Sequence, residues 1–328
     1  MGAFGLQSHI WNNNLKSILL LIGFPFLLLV LFFGISILLV SANGYSGSVE
    51  QGLALALEGL PRTAAFAGLG AIVWFGIAWF ANTSIVRASV GAKGLDRKSH
   101  PEIYNLLENL CISRGLNMPN LQIIETPALN AFASGIDEQS YTITLTRGLI
   151  DRLDRDELEA VIAHELTHIV NRDVRLLIIS IIFVGIFSFV AELMFRGFFR
   201  SGIRMGGHTR SRQGDSRGGG ILILIAFALI ALAYILAIVI RFSLSRRREY
   251  LADAGAVELT RNPDAMISAL QKISGRSEVS APPDVQQMMI ENTVRFAGVF
   301  ATHPPIDQRI AALVEYAGGE NGAIGAST

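Results

Sequence analysis

The sequence predicts a mainly α membrane protein that carries a small α+β polar domain. Three observations predict it. Apolar residues make up 51% of the 328 residues and charged residues only 16%, where a soluble domain carries about 25% charged residues. The apolar residues gather in long runs rather than being spread evenly. The polar blocks between the runs hold short stretches with strand period and a helix-like stretch rich in histidine and glutamate.

Ser17–Ala42, Thr63–Val86 and Gly218–Ile240 contain no charged residue. Each is long enough to cross a hydrocarbon core of roughly 30 Å as a helix. Leu176–Ala191 is shorter and flanked by Arg175 and Glu192; it crosses only with Glu192 near one end. The first run exceeds the apolar region of a cleavable leader, roughly 7–15 residues. The four segments pair into two hairpins, connected through Asn43–Arg62 and Arg196–Gly220. The second connection is rich in Gly, Ser and Arg without apolar periodicity, and is expected to be mobile. The expected division is a first membrane hairpin at 1–90 and a first part of the polar domain at 91–175. A second hairpin follows at 176–245, the second part of the domain at 246–316 and a loose tail at 317–328.

Within the polar blocks, Ile103, Leu106, Leu107 and Leu110 give Pro101–Arg114 helical spacing. Strands are expected at 121–125, 131–135 and 141–146, the last alternating Tyr, Ile and Leu with threonines. Asp154 and Glu157 have the spacing of a capping box that starts the next helix. Glu249–Leu259 reads as helix, and Asn262-Pro263 as the cap and first position of another that Gly275 closes.

Charge is balanced, with 27 Lys+Arg against 27 Asp+Glu, so no nucleic-acid partner is expected. Cys111 is the single cysteine, which excludes an internal disulfide or a thiolate metal cluster. Chemistry concentrates in residues 164–168, HELTH. His164 and His168 lie four apart and share one helix face, so their rings can converge on one zinc ion. Glu165 is placed beside the metal to handle a water rather than to bind the ion. Ala163, Leu166, Ile169 and Val170 surround these groups, so the helix is expected to be buried, and buried polar groups need partners. RRREYLADAGAVELT puts Glu249 and Asp253 four apart on a second helix. Glu249 can be a third ligand, and Asp253 can accept a hydrogen bond from the far nitrogen of a metal-bound histidine. Composition alone allows an ordinary solvated acidic stripe equally well.

HELTH, EYLADAGAVELT, NAFASG at 130–135 and THPPIDQRI at 302–310, in that order among four apolar segments, resemble the membrane-bound zinc metalloproteases of the HtpX heat-shock type. These are relatives of the CAAX prenyl endoproteases. The resemblance covers roughly residues 10–315. It implies a zincin-like metalloprotease domain with one Zn2+ per chain, held by His164, His168 and Glu249. It implies Glu165 as general base and Asp253 as the carboxylate behind a ligand. It assigns His303 and Arg309 to contacts with the substrate backbone near the metal. A histidine donor could stabilise the oxyanion, and an arginine could grip a neighbouring carbonyl. Asn130, Ala131, Phe132 and Ala133 match a strand whose exposed edge receives an extended peptide by main-chain pairing.

The implied role is proteolytic quality control of misfolded or damaged membrane proteins under stress, with polypeptides and the lipid bilayer as partners. A CAAX-type prenyl protease is the alternative of the same class, though that relative is expected to have more spans. A membrane scaffold or transport regulator is the alternative of another class. Against it stand the complete ligand set and the lack of ionisable residues in the three longest runs.

Leu176 begins eight residues after His168, and Glu249 follows Arg241 by eight. If helix continues across both joints, each ligand lies roughly 12 Å along the axis from its membrane segment. The second hairpin is then expected to bring Glu249 towards the histidines. The first connection carries Arg62, whereas Lys16, Arg87, Lys93, Arg97, Lys98, Arg172, Arg175 and Arg241 flank the polar side. The positive-inside rule therefore places the domain in the cytoplasm; the resemblance implies a bacterial inner membrane. Six arginines between 196 and 217 run against this assignment; either the third and fourth segments stop short of crossing, or the other flanks dominate.

Overall fold

The computed structural model describes residues 6–43, 45–200, 217–242, 247–286, 288–291 and 303–318. Most of the connection expected to be mobile, and most of the expected tail, lie outside these residues. Two long helices come first, α1 (Leu6–Ala42) and α2 (Val49–Val90). Strand β1 (Lys93–Gly94), helix α3 (Pro101–Arg114), and strands β2 (Asn120–Ile124), β3 (Ala131–Ser134) and β4 (Thr142–Thr146) follow. Helices α4 (Arg147–Arg152), α5 (Arg155–Val170), α6 (Asp173–Arg200) and α7 (Arg217–Phe242) come next. The chain closes with α8 (Arg247–Thr260), α9 (Pro263–Ile273), α10 (Pro283–Gln286) and α11 (Ile306–Ala317). It forms two compact units, one of Met1–Lys16, Phe80–Ile179 and Leu244–Thr328, the other of Ser17–Trp79 and Ser180–Ser243.

The second unit is helical. Four helices are long and apolar enough to cross a membrane, over Ile22–Ala42, Val49–Val90, Asp173–Val190 and Gly218–Ala237. Leu31, Phe32, Ala71, Phe187, Ile230 and Ala233 form its buried core, and Phe24 stacks on Phe183. The outward side chains are equally apolar, with Phe66 77% and Ile72 70% exposed. In water such a surface would be a large apolar patch; against lipid it has no cost. Helix α2 starts well before the apolar run does. Residues 49–62, expected as connection, are helical despite Pro61, because Ala56 is buried against Ile37, Leu222 and Ala226. Glu192 and Arg196, at the polar end of α6, are both exposed and pair with each other one turn apart.

The first unit is the α+β domain. Its mixed sheet has the order β1-β2-β4-β3, with β2 and β4 parallel and β3 antiparallel to β4. All five residues of β4 are buried, so its alternation does not mark a wet face. Two of its three threonines are satisfied within the fold: Thr146 Oγ1 donates to the Asn130 carbonyl at 2.9 Å and Thr142 Oγ1 to the Ser140 carbonyl at 3.1 Å. Helix α5 starts at a capping box in which Asp154 accepts from the Glu157 amide and Glu157 accepts from the Asp154 amide. Asn262 caps α9 by accepting from the Ala265 amide. Helix α5 packs against α8, α9, α3 and β3, and its residues 160–163 are fully buried.

The expected run of helix from α5 into α6 is not present. Helix α5 is capped at Asn171, and Arg172 takes a left-handed backbone with φ 59 before α6 begins at Asp173.

Candidate active site

Helix α5 presents His164, Glu165 and His168, and α8 presents Glu249 and Asp253. The two helices approach closely because the facing residues of α8 are small. Ala252 and Ala256 are fully buried, and a Cβ on Gly255 would lie 2.4 Å from Thr167 Cγ2. This approach brings three donor atoms together. His164 Nε2 and His168 Nε2 are 3.2 Å apart, and Glu249 Oε2 is 3.7 Å from each.

The outer nitrogen of each ring lies near a carboxylate. His164 Nδ1 lies 3.0 Å from Asp253 Oδ1, and His168 Nδ1 lies 3.0 Å from Asp173 Oδ2. The His168 contact is a hydrogen bond, whereas His164 Nδ1 is only within ion-pair distance of Asp253; the two Nε2 atoms face each other and Glu249 Oε2. Three potential ligand atoms thus converge in one triangle. Bonds of about 2.0–2.1 Å in a tetrahedral site place neighbouring ligand atoms roughly 3.3 Å apart. The triangle's edges of 3.2, 3.7 and 3.7 Å fit such an ion, so His164, His168 and Glu249 could hold one.

Burial disfavours a charged His168 ring, but Glu249 and Asp173 outweigh it and raise the ring to about 10. Burial likewise opposes the Glu249 carboxylate, while His303 and His168 hold it well below its usual range.

Glu165 is 1% exposed, and neither of its carboxylate oxygens has a hydrogen-bond partner among the described residues. Burial pushes its carboxyl up, against the pull of the two histidines. It lines a cavity of about 20 Å³ together with His168, Glu249, Ala133, Met288 and His303. That volume is about what one water needs, and is too small for a peptide side chain. His303 Nδ1 stands 3.2 Å from Glu249 Oε2.

Arg309 is fully buried. Its Nε and Nη2 donate to the two Asp253 oxygens at 2.8 and 2.6 Å, and Nη1 donates to the Ile290 carbonyl at 2.9 Å. Nη2 also lies 3.5 Å from His164 Nε2. The guanidinium thus holds the Asp253 carboxylate beside His164. Burial raises the Asp253 carboxyl, but Arg309 and His164 outweigh it and bring it down to about 2. A folded value below the ordinary one contributes stability that is complete above about pH 4 and lost as pH falls through about 2. Acid unfolding in detergent should therefore show about 2 kcal/mol lost between those limits. Asp253→Asn should lack that acid limb.

The strand expected to offer a free edge is the sheet's edge strand, and it is partly covered, at Ala131 and Phe132. All four residues of β3 are buried. Phe132 pairs with Met289, and the Ile290 amide donates to the Ala131 carbonyl at 2.9 Å. Asn130 is fully buried. Its side chain donates to the carbonyls of Ser277 and Glu291 and accepts from the Ile290 amide. By the alternation of an antiparallel ladder, Ala131 and Ala133 share the outward side, and Ala133 lines the cavity.

Sequence reasoning missed Asp173, five residues past His168, and Arg248, whose Nε lies 3.3 Å from Glu249 Oε1. Asp173 stands in the same segment as HELTH and was hidden by the assumption of continuous helix.

The profile described as Peptidase family M48 matches residues 97–317. The "Protease HtpX homolog" of Bacteroides fragilis strain YCH46 is 45% identical over 95% of this chain and 99% of its own length. The protein of that name from Listeria monocytogenes serotype 4a strain HCC23 is 38% identical over 94% of this chain and 99% of its own. Among solved structures, the crystal structure of S. mikatae Ste24p aligns with TM-score 0.43 at 20% identity, covering 76% of this chain and 57% of that one.

Proposed function

Because the chain belongs to peptidase family M48, we propose that it is a zinc endopeptidase that cleaves misfolded or damaged membrane proteins from the cytoplasmic face of a bacterial inner membrane. Membership, with the HtpX homologues and the four apolar helices, makes it a membrane metalloprotease acting on polypeptides. The zinc, the residue roles, the substrates and the side of the membrane are our reading.

The observation that supports it best is the triangle formed by two histidine Nε2 atoms and one carboxylate oxygen. Two imidazoles and one carboxylate are the donor set of a catalytic zinc that keeps a fourth position open. When bound, the ion supplies Lewis-acid activation of the scissile carbonyl and of the attacking water. Glu165 takes the proton of that water on a carboxylate oxygen that no other described residue engages. Its burial raises its proton affinity, which suits a group that must accept a proton and then pass it to the leaving amine. His303 lines the same cavity and is assigned as donor to the developing oxyanion.

Arg309 is assigned differently from the sequence expectation. Its donors are engaged with Asp253 and Ile290, so we read it as a positioning residue for Asp253 and His164 rather than a clamp on substrate. Of the β3 positions, Ala133 is the one we assign to substrate pairing, since Ile290 takes the Ala131 carbonyl. Asn130 then supports the strand from behind.

Incubation of detergent-purified protein with an unfolded polypeptide is expected to give internal cleavages. A zinc chelator should stop them and added Zn2+ should restore them. Cleavage that persists in the chelator sinks the reading.

A further inference from the structure

We propose that Asp173, the first residue of the third membrane helix, is a positioning residue for His168, so that this helix supplies part of the metal centre. The inference rests on the reading of His168 as a metal ligand.

Asp173 Oδ2 lies 3.0 Å from His168 Nδ1, with the two side chains only 4% and 12% exposed. A continuous helix could not make this contact. Positions five apart stand about 140° around the axis from each other, and the carboxylate would face away from the ring. The chain instead leaves α5 at Asn171 and passes through Arg172 at φ 59. A non-glycine residue there costs roughly 1–2 kcal/mol. Such a conformation persists where the surrounding structure requires it. Its result here is that Asp173 turns back onto His168. The carboxylate accepts the Nδ1 hydrogen and fixes the ring with its Nε2 lone pair towards His164 and Glu249.

The carboxylate nearest His164 Nδ1 is that of Asp253, 3.0 Å away. The two carboxylates differ in origin. Asp253 rides on α8, which also carries Glu249, whereas Asp173 opens α6, whose stretch Asp173–Val190 is apolar enough to span a bilayer. An acidic residue at a helix start is favourable for the helix dipole alone. That explanation accounts for neither the 3.0 Å contact nor the left-handed break.

The test is zinc affinity of the full chain in detergent, measured by competition with a chromophoric chelator. Asp173→Ala is expected to bind zinc about 10- to 100-fold more weakly, and its cobalt-loaded form should show an altered visible spectrum. Asp173→Asn keeps an oxygen at the helix start but no charge, and is expected to lose affinity too; it carries the test if the alanine variant does not fold. A role confined to starting the helix predicts unchanged affinity and spectrum, with loss only in the thermal stability of the metal-free protein. Affinity within about two-fold of the parent in a folded variant overturns the proposal. His168→Ala separates the two levels. If it abolishes zinc binding while the Asp173 variants bind normally, only the positioning role fails. If it too binds normally, the ligand assignment fails.

Discussion

Glu165→Gln is expected to lower kcat/KM for peptide hydrolysis by about 100- to 10,000-fold while leaving metal binding intact. The carboxylate makes no hydrogen bond among the described residues and is not one of the three converging donors. Glutamine has the same size and removes only the capacity to take a proton. Because the side chain is buried and raised in proton affinity by that burial, the neutral amide also removes a charge that was costly to desolvate. The variant should therefore fold at least as well as the parent. Activity measured alongside metal content distinguishes loss of the base from loss of the ion. Full activity in a metal-loaded Glu165→Gln protein would falsify the assignment.

The largest effect on stability is expected at Arg309. Its guanidinium is fully buried and holds both Asp253 oxygens and the Ile290 carbonyl. Removing one partner of such a pair leaves an uncompensated buried charge, which costs about 3–5 kcal/mol. Arg309→Met keeps most of the volume and should still lose that much in denaturant unfolding. Arg309→Lys should rescue little, because one ammonium cannot span two carboxylate oxygens and a carbonyl in fixed geometry. Zinc affinity should fall as well, since Asp253 would no longer be held against His164. A loss below about 1 kcal/mol in Arg309→Met, the range of an exposed ion pair, contradicts this account.

Local signals in the sequence carry through to the structure where the cause is local. Pro101 and the apolar spacing after it specify α3, Asp154 and Glu157 cap α5, and Asn262-Pro263 starts α9. The HELTH spacing and the Glu249-Asp253 pair are also local, and the two meet in the first unit. Features set by distant partners were not legible. Ile290 meets Asn130 across 160 residues, and no periodicity reports such a contact or the partial cover it gives the edge strand. The approach of α8 to α5 depends on Gly255 meeting Thr167, a steric fit between two segments that each read normally alone. The break at Arg172 has neither Gly nor Pro to announce it. Its left-handed residue places Asp173 against His168, a contact that helix continuing across the joint would not make.

Metal content tests the central claim most directly, measured by elemental analysis on detergent-purified parent and on Glu249→Ala. The account predicts about one zinc per chain in the parent and loss of that zinc, with loss of cleavage, in the variant. A Glu249→Ala protein that retains the parent's zinc, or a parent that cleaves polypeptides while metal-free, contradicts it.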